Sequence, residues 1–226
     1  ADSTGGGIVI NQSVVVFESC TIDSNQALWG GGINMWSSSG TITNSTINNN
    51  QATSLGGGIN LNESDAVIDS CTITNNSALY GGGIFSTNGN LQVDDCSFVS
   101  NSSQGGWGGA LNASNQDSTT TYQVVLTNNT FTYNSALKAG GVVLWTSPND
   151  AGLDVVISNC DFHNNSAEVH TGALYISGLN TYFELSDCRF VDNEVVDFVG
   201  GANFVSYCTG TVSNSLFLNN IAGTGD

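Results

Sequence analysis

The sequence predicts an all-β chain, a right-handed parallel β-helix of about eight coils with three short strands per coil. Two phrases alternate from end to end, apolar residues recur at fixed offsets from those phrases, and the stretches between them alternate with a period of two. The first phrase is a glycine cluster closing on an apolar residue: Gly5–Ile8, Gly30–Ile33, Gly56–Ile59, Gly81–Ile84, Gly108–Leu111 and Gly140–Val143, decaying to Gly172-Ala173-Leu174 and Gly200-Gly201-Ala202-Asn203. The second is Ile or Phe, two variable residues, then Asn, ending at Asn25, Asn50, Asn76, Asn101, Asn134, Asn165, Asn193 and Asn220. The steps between these eight asparagines are 25, 26, 25, 33, 31, 28 and 27 residues, which describes a solenoid coil with insertions.

Each element of the coil follows from residue type. Runs such as Val14-Val15-Val16-Phe17 and Val124-Val125-Leu126, bounded by Gly, Asn, Asp and Ser, read as short strands. Five residues before each Ile/Phe stands an apolar side chain (Phe17, Ile42, Ile68, Val93, Leu126, Ile157, Leu185, Val212), and this column is expected to face inward. After the asparagine comes a small residue (Ala27, Ala52, Ala78, Ala136, Ala167, Ala222), as a tight inner corner requires. Stacking coils at the strand spacing gives a rod of roughly 38 Å. In such a stack a buried Asn bonds the Asn above and below, so the eight phrase asparagines are expected to form an amide ladder. All of residues 1–226 read as one β-helix domain, or as a segment of a longer or head-to-tail stacked solenoid.

Composition narrows the function. Lys138 and Arg189 are the only basic side chains against 19 acidic ones, a net charge of −17 that disfavours nucleic acid and anionic membrane surfaces as partners. No apolar run reaches the roughly 20 residues a membrane span requires, so membrane insertion is not expected. With charged residues at only 9%, the surface must consist largely of amide, hydroxyl and glycine.

The alternation of Gly-Gly-Ala/Gly-Ile with Phe/Ile-x-x-Asn, as in Gly108-Gly109-Ala110-Leu111 and Phe98/Asn101, resembles the passenger repeats of the chlamydial polymorphic membrane proteins and related surface β-helices. The resemblance covers essentially the whole chain and implies a right-handed β-helix, export to the cell surface, adhesive or architectural roles and no catalytic residues. Residues 1–226 are not expected to include a β-barrel translocator like that of those passengers.

Five of six cysteines (Cys20, Cys71, Cys96, Cys160, Cys188) occupy one slot two residues before the Ile/Phe, with Ser45, Asn129 and Ser215 filling the rest. Cα atoms one coil apart lie within the disulfide window, so Cys71–Cys96 and Cys160–Cys188 are the expected bridges; the competing reading is a column of buried thiols acting as small hydrophobes. Six cysteines in a lysine-poor chain favour an oxidising, extracellular compartment.

Candidate sites are few. No cofactor is called for, the one metal candidate being Ca²⁺ at the stacked acids Asp69, Asp94 and Asp95, against simple solvation of a charged corner. Of eight N-x-Ser/Thr sequons, Asn44, Asn75, Asn128 and Asn164 fall at outward corners and Asn62 and Asn112 at loop edges, the expected positions of N-glycans. Asp161, His163 and Arg189 form the single constellation a polysaccharide lyase or hydrolase could use, and a stacked Asp–Arg surface pair explains it more simply. Trp29, Leu55, Tyr80 and Trp107 precede successive glycine phrases, an apolar stripe that sugar stacking or a lateral protein contact could use, with packing of the corner the simpler reading. Thr21, Thr46, Thr72, Ser97 and Thr130 form an outward row like those of ice-binding solenoids, but it fails at Asp161, Arg189 and Leu216.

The expected function is a non-catalytic structural unit of a cell-surface filament or coat, a homopolymer built by head-to-tail stacking and N-glycosylated. The ends support this expectation, since Asn219–Asp226 followed by Ala1–Ser3 would continue the repeat and Cys20 and Cys208 lie near opposite ends. The alternative is an adhesin that takes a protein or carbohydrate ligand through the stripe or through long loops at 112–123 and 146–154.

Overall fold

The computed structural model describes residues 4–197 and 200–223. Its first coil contains β1 (Ile8–Asn11), β2 (Val14–Glu18), β3 (Thr21–Asp23) and β4 (Gln26–Trp29), and this four-strand cycle repeats through the eight coils. The strands stack into four eight-stranded sheets, all paired in parallel, named here first to fourth after the strand of the first coil that begins each. No helix occurs among the described residues.

The fourth sheet corrects the three-strand expectation. The segment after each ladder asparagine pairs as strand rather than turning as a corner, with Ala27 opposite Ala52 and Ala136 opposite Ala167. A small inward residue lets this narrow sheet approach the interior backbone, and it alternates with exposed Gln26, Gln51 and Ser166 as a strand should.

Register is kept by stacking like on like. Ile22, Ile47, Ile73, Phe98, Phe131, Phe162, Phe190 and Phe217 form one column of the third sheet. Its five phenylalanines stack at centroid separations of 4.6–4.8 Å and interplanar angles of 2–18°. Strand spacing sets that separation, and each such pair adds about 1 kcal/mol to its area burial. A one-residue slip would turn every member of these columns outward, which pins the register.

Most corners are turned by one residue in the left-handed region. Gln12, Ser37, Glu63 and Asn88 do so between the first and second sheets, with φ of 46–55°. The second-to-third corner uses Ser19, Asn44, Ser70, Asp95, Asn128, Asn159, Asp187 and Asn214, and the third-to-fourth uses Ser24, Asn49, Asn75, Ser100, Tyr133, Asn164, Asp192 and Asn219. Asn, Asp and Ser side chains hydrogen-bond locally and tolerate this conformation, which accounts for much of their abundance.

The glycine phrase makes the fourth corner. Its first glycine has positive φ (60° at Gly30 and Gly56, 62° at Gly81). Its second is packed against backbone: a Cβ on Gly82 would stand 2.4 Å from the carbonyl oxygens of both Gly109 and Ser102. The phrase therefore records a place where the main chain of one coil touches that of the next.

Candidate functional site

Three sets of side chains carry chemistry: the inner corners, the exposed corners, and an aromatic cluster on the outer face. At the third-to-fourth corner, Asn134 donates its backbone N–H and Nδ2 to Asn165 Oδ1 at 3.0 Å each, and Nδ2 also donates to Phe98 O at 3.0 Å. Its own Oδ1 accepts the N–H and Nδ2 of Asn101 at 3.0 and 3.1 Å. The same pattern links Asn25, Asn50, Asn76, Asn101, Asn134, Asn165, Asn193 and Asn220 without a break. Every amide group of the interior members is satisfied, as burial demands.

The cysteine slot is a second ladder, and here the expected disulfides are corrected. Cys71, Cys96, Cys160 and Cys188 are free thiols, as are Cys20 and Cys208. Each sulfur is engaged with backbone carbonyls. Cys71 Sγ donates to Asp69 O at 3.2 Å, Cys96 Sγ to Asp94 O at 3.1 Å, and Cys96 Sγ accepts the Cys71 N–H at 3.3 Å. Ser45 makes the same two bonds, donating to Thr43 O at 2.7 Å and accepting the Cys20 N–H at 3.0 Å. The slot selects a small group that both donates and accepts, which is why Ser, Cys and Asn interchange there. Hydrogen bonding to Cys71, then burial, holds the Cys96 thiol far above its ordinary range, and Cys160 is raised the same way through Cys188. Such thiols stay protonated and inert. Ser13, Ser38 and Ser64 build a third ladder of this kind, which the sequence reading missed; the signal was a serine recurring before each second-sheet strand of the first three coils.

The predicted exposed residues fall at several places. Asp69 and Asp94 are paired one coil apart, while Asp95 is a left-handed corner residue. Asp94 Oδ1 accepts Thr127 Oγ1 at 2.7 Å and Asn128 Nδ2 at 2.8 Å, and these bonds, Thr127 foremost, lower its pKa against the opposing effect of burial. Among the described residues, no group of three or more His, Cys, Asp or Glu is placed to hold a metal ion. Asn44, Asn75 and Asn128 are exposed left-handed corner residues; Asn164 is the same kind of corner but half-buried, and Asn62 ends a first-sheet strand, also half-buried. Asn112 is corrected: it lies within the strand Leu111–Asn115, is 1% exposed and donates to Trp107 O at 3.3 Å, so it cannot carry a glycan in the folded chain. That strand also shortens the first long loop. The remaining loops dock on each other, with Asn115 Nδ2 donating to Thr120 O and Gly152 O at 2.7 Å and Ala151 N to Asp117 O at 2.9 Å.

Asp161 and Arg189 pair across adjacent coils, Nη1 to Oδ2 at 3.5 Å, with His163 two residues along. Trp29, Leu55 and Tyr80 are consecutive neighbours, and the threonine row is in direct register from Thr21 to Thr130. Trp107 keeps the stripe's place in the backbone, its carbonyl accepting the Gly81 N–H at 3.0 Å as the Tyr80 carbonyl accepts that of Gly56, while its ring contacts later coils. Its coil carries two extra glycines, Gly105 and Gly106, and a register shift between Ser103 and Trp107. Its ring stacks on His170 at 4.8 Å and meets Tyr175 at 4.9 Å, two coils on. Lys138 Nζ stands 4.9 Å from its centroid, and Tyr175 stacks on Phe204 at 5.4 Å. Burial first, then the Lys138 charge, lowers the pKa of His170. The sequence reading missed this cluster beyond Trp107; its signal was aromatic residues one place after the inward residue of late glycine phrases, Tyr175 and Phe204.

Residues 1–131 match the family model of a right-handed β-helix region, and the chain belongs to that family. No curated protein and no solved structure matches it.

Proposed function

We propose that this chain is a non-catalytic, extracellular structural rod, the repeat unit of a cell-surface filament or coat assembled by end-to-end stacking of β-helices; the resemblance of its repeats to polymorphic membrane protein passengers supports the surface and architectural part of this reading. The observation that carries this reading is the complementarity of the two ends of the asparagine ladder. Among the described residues, Asn25 Oδ1 accepts no hydrogen bond, while the N–H of Asn220 and its second Nδ2 proton have no acceptor. A further coil in register, from a second copy or from a longer run of the same solenoid, would join them. The interior columns support the same contact, since Phe217 and Val212 are 46% and 50% exposed at one end and Val15 and Phe17 are half-buried at the other. Ala1-Asp2-Ser3 and Thr224-Gly225-Asp226, on which the sequence-level junction also rests, lie outside the described residues.

With the thiols free, cysteine content no longer supports an oxidising compartment. The extracellular reading rests on the repeat resemblance and on the exposed sequons Asn44, Asn75 and Asn128, which are proposed to carry glycans. A surface ion pair accounts for Asp161 and Arg189 without catalysis. Cryo-EM of the material as isolated from its source tests the proposal. Fibres with ~4.8 Å rungs continuous across subunit junctions are expected; separate rods with ordered caps over both ends would overturn it. A second reading, a rod that presents a ligand-binding surface, is favoured by the aromatic cluster around Trp107.

A further inference from the structure

On the outer face of the first sheet, Trp107, Trp145, Tyr175 and Ser177 enclose a cavity of about 140 Å³. Trp145 and Ser177 face each other in register across adjacent coils, and the Trp107 and Tyr175 rings open at 53°. The space suits one six-membered ring. Its walls are aromatic, while the Ser177 hydroxyl stands at the cavity itself and Ser206 is paired with Ser177 one coil on. That combination fits a saturated sugar ring, whose C–H face packs on indole and phenol while its equatorial hydroxyls stay at the hydrated edge.

Charge selects among sugars. Lys138 is the single lysine of a chain with 19 acidic residues, yet among the described residues it forms no ion pair and rests on the Trp107 ring, Nζ 4.9 Å from the centroid. Lys138 lies on the Trp107 ring, outside the cavity lining, and a carboxylate projecting from the bound ring past Trp107 would supply its missing partner. The rest of the surface, at net −17, repels a polyanion.

We propose that the Trp107–Trp145–Tyr175 cavity binds one pyranose carrying a single carboxylate, a uronate or a sialic-acid-type sugar, on an otherwise neutral glycan. This deepens the ligand-surface reading and is independent of end-to-end stacking.

Saturation-transfer NMR on the full chain tests it, with methyl β-glucuronide and the methyl glycoside of N-acetylneuraminic acid as separate acidic probes and methyl β-glucoside as the neutral one. Transfer to the ring C–H protons of at least one acidic probe is expected, and which probe responds identifies the source. Trp145→Ala is expected to weaken binding about tenfold or more, and Lys138→Gln to weaken the acidic probe about tenfold while leaving the glucoside unchanged. Unchanged β-sheet circular dichroism establishes that both variants fold. No transfer to either acidic probe, or affinity indifferent to both substitutions, overturns the proposal. Self-association lost in Trp145→Ala without sugar binding also overturns it and makes the cavity a lateral contact between copies. A glycan or protein ligand whose binding ignores Trp145→Ala overturns this site while leaving the ligand-surface reading standing.

Discussion

Replacing Asn134 with leucine tests the ladder where it is most enclosed. Asn134 is fully buried, and its side chain takes part in four hydrogen bonds. Leucine leaves three buried groups without that partner: the Asn101 N–H, one Asn101 Nδ2 proton and the Phe98 carbonyl oxygen. Asn165 Oδ1 keeps the Asn134 N–H. At about 1–3 kcal/mol per orphaned group, less about 2 kcal/mol for the apolar side chain buried, the expected loss is about 4 kcal/mol. Asn129→Ser is the matched control, because Ser45 and Ser215 already fill that slot in other coils and serine retains the donor and acceptor; it should cost about 1 kcal/mol. Equilibrium urea unfolding followed by circular dichroism measures both, with midpoints compared at constant slope because stacked repeats can lose cooperativity. If Asn134→Leu costs under about 1 kcal/mol, or the two variants cost the same, the ladder is not the corner's source of stability.

Three further outcomes follow from the same geometry. Tyr133 holds a left-handed corner (φ 56°) with its side chain 60% exposed, where other coils carry Ser, Asn or Asp; Tyr133→Asn should raise stability by about 0.5–1 kcal/mol, read as a rise in Tm. Gly82→Ala puts a Cβ 2.4 Å from two carbonyl oxygens and should cost at least about 3 kcal/mol or abolish folding, seen as loss of β-sheet circular dichroism. Alkylation followed by mass spectrometry should count six thiols after denaturation without reductant, and in the folded chain Cys20 and Cys208 should react well before Cys71, Cys96, Cys160 and Cys188. A count of four or two would reinstate a disulfide.

Much of the coil was legible because a parallel stack places the same residue type at the same offset in every turn. Ile22, Ile47 and Ile73 running into Phe98–Phe217, and the asparagines three residues later, announce inward columns without knowledge of any contact. The left-handed corner residues were less legible, since Ser, Asn and Asp recur throughout the chain and only the backbone shows which of them turn it.

The amino-acid sequence by itself determined the parallel β-helix, its eight-coil count and the asparagine column, because local period-two patterning and like-on-like stacking carry that information. Tertiary structure decided what depends on direction and reach. The segment after each ladder asparagine pairs as a fourth strand, and the cysteine sulfurs engage backbone carbonyls and remain thiols. Asn112, sequon and all, is buried beneath the outer face. Trp107 follows a two-glycine insertion, and its ring reaches His170 and Tyr175 two coils away. No spacing rule along one strand contains that contact, because insertion length and side-chain reach set it jointly only once the coils are stacked.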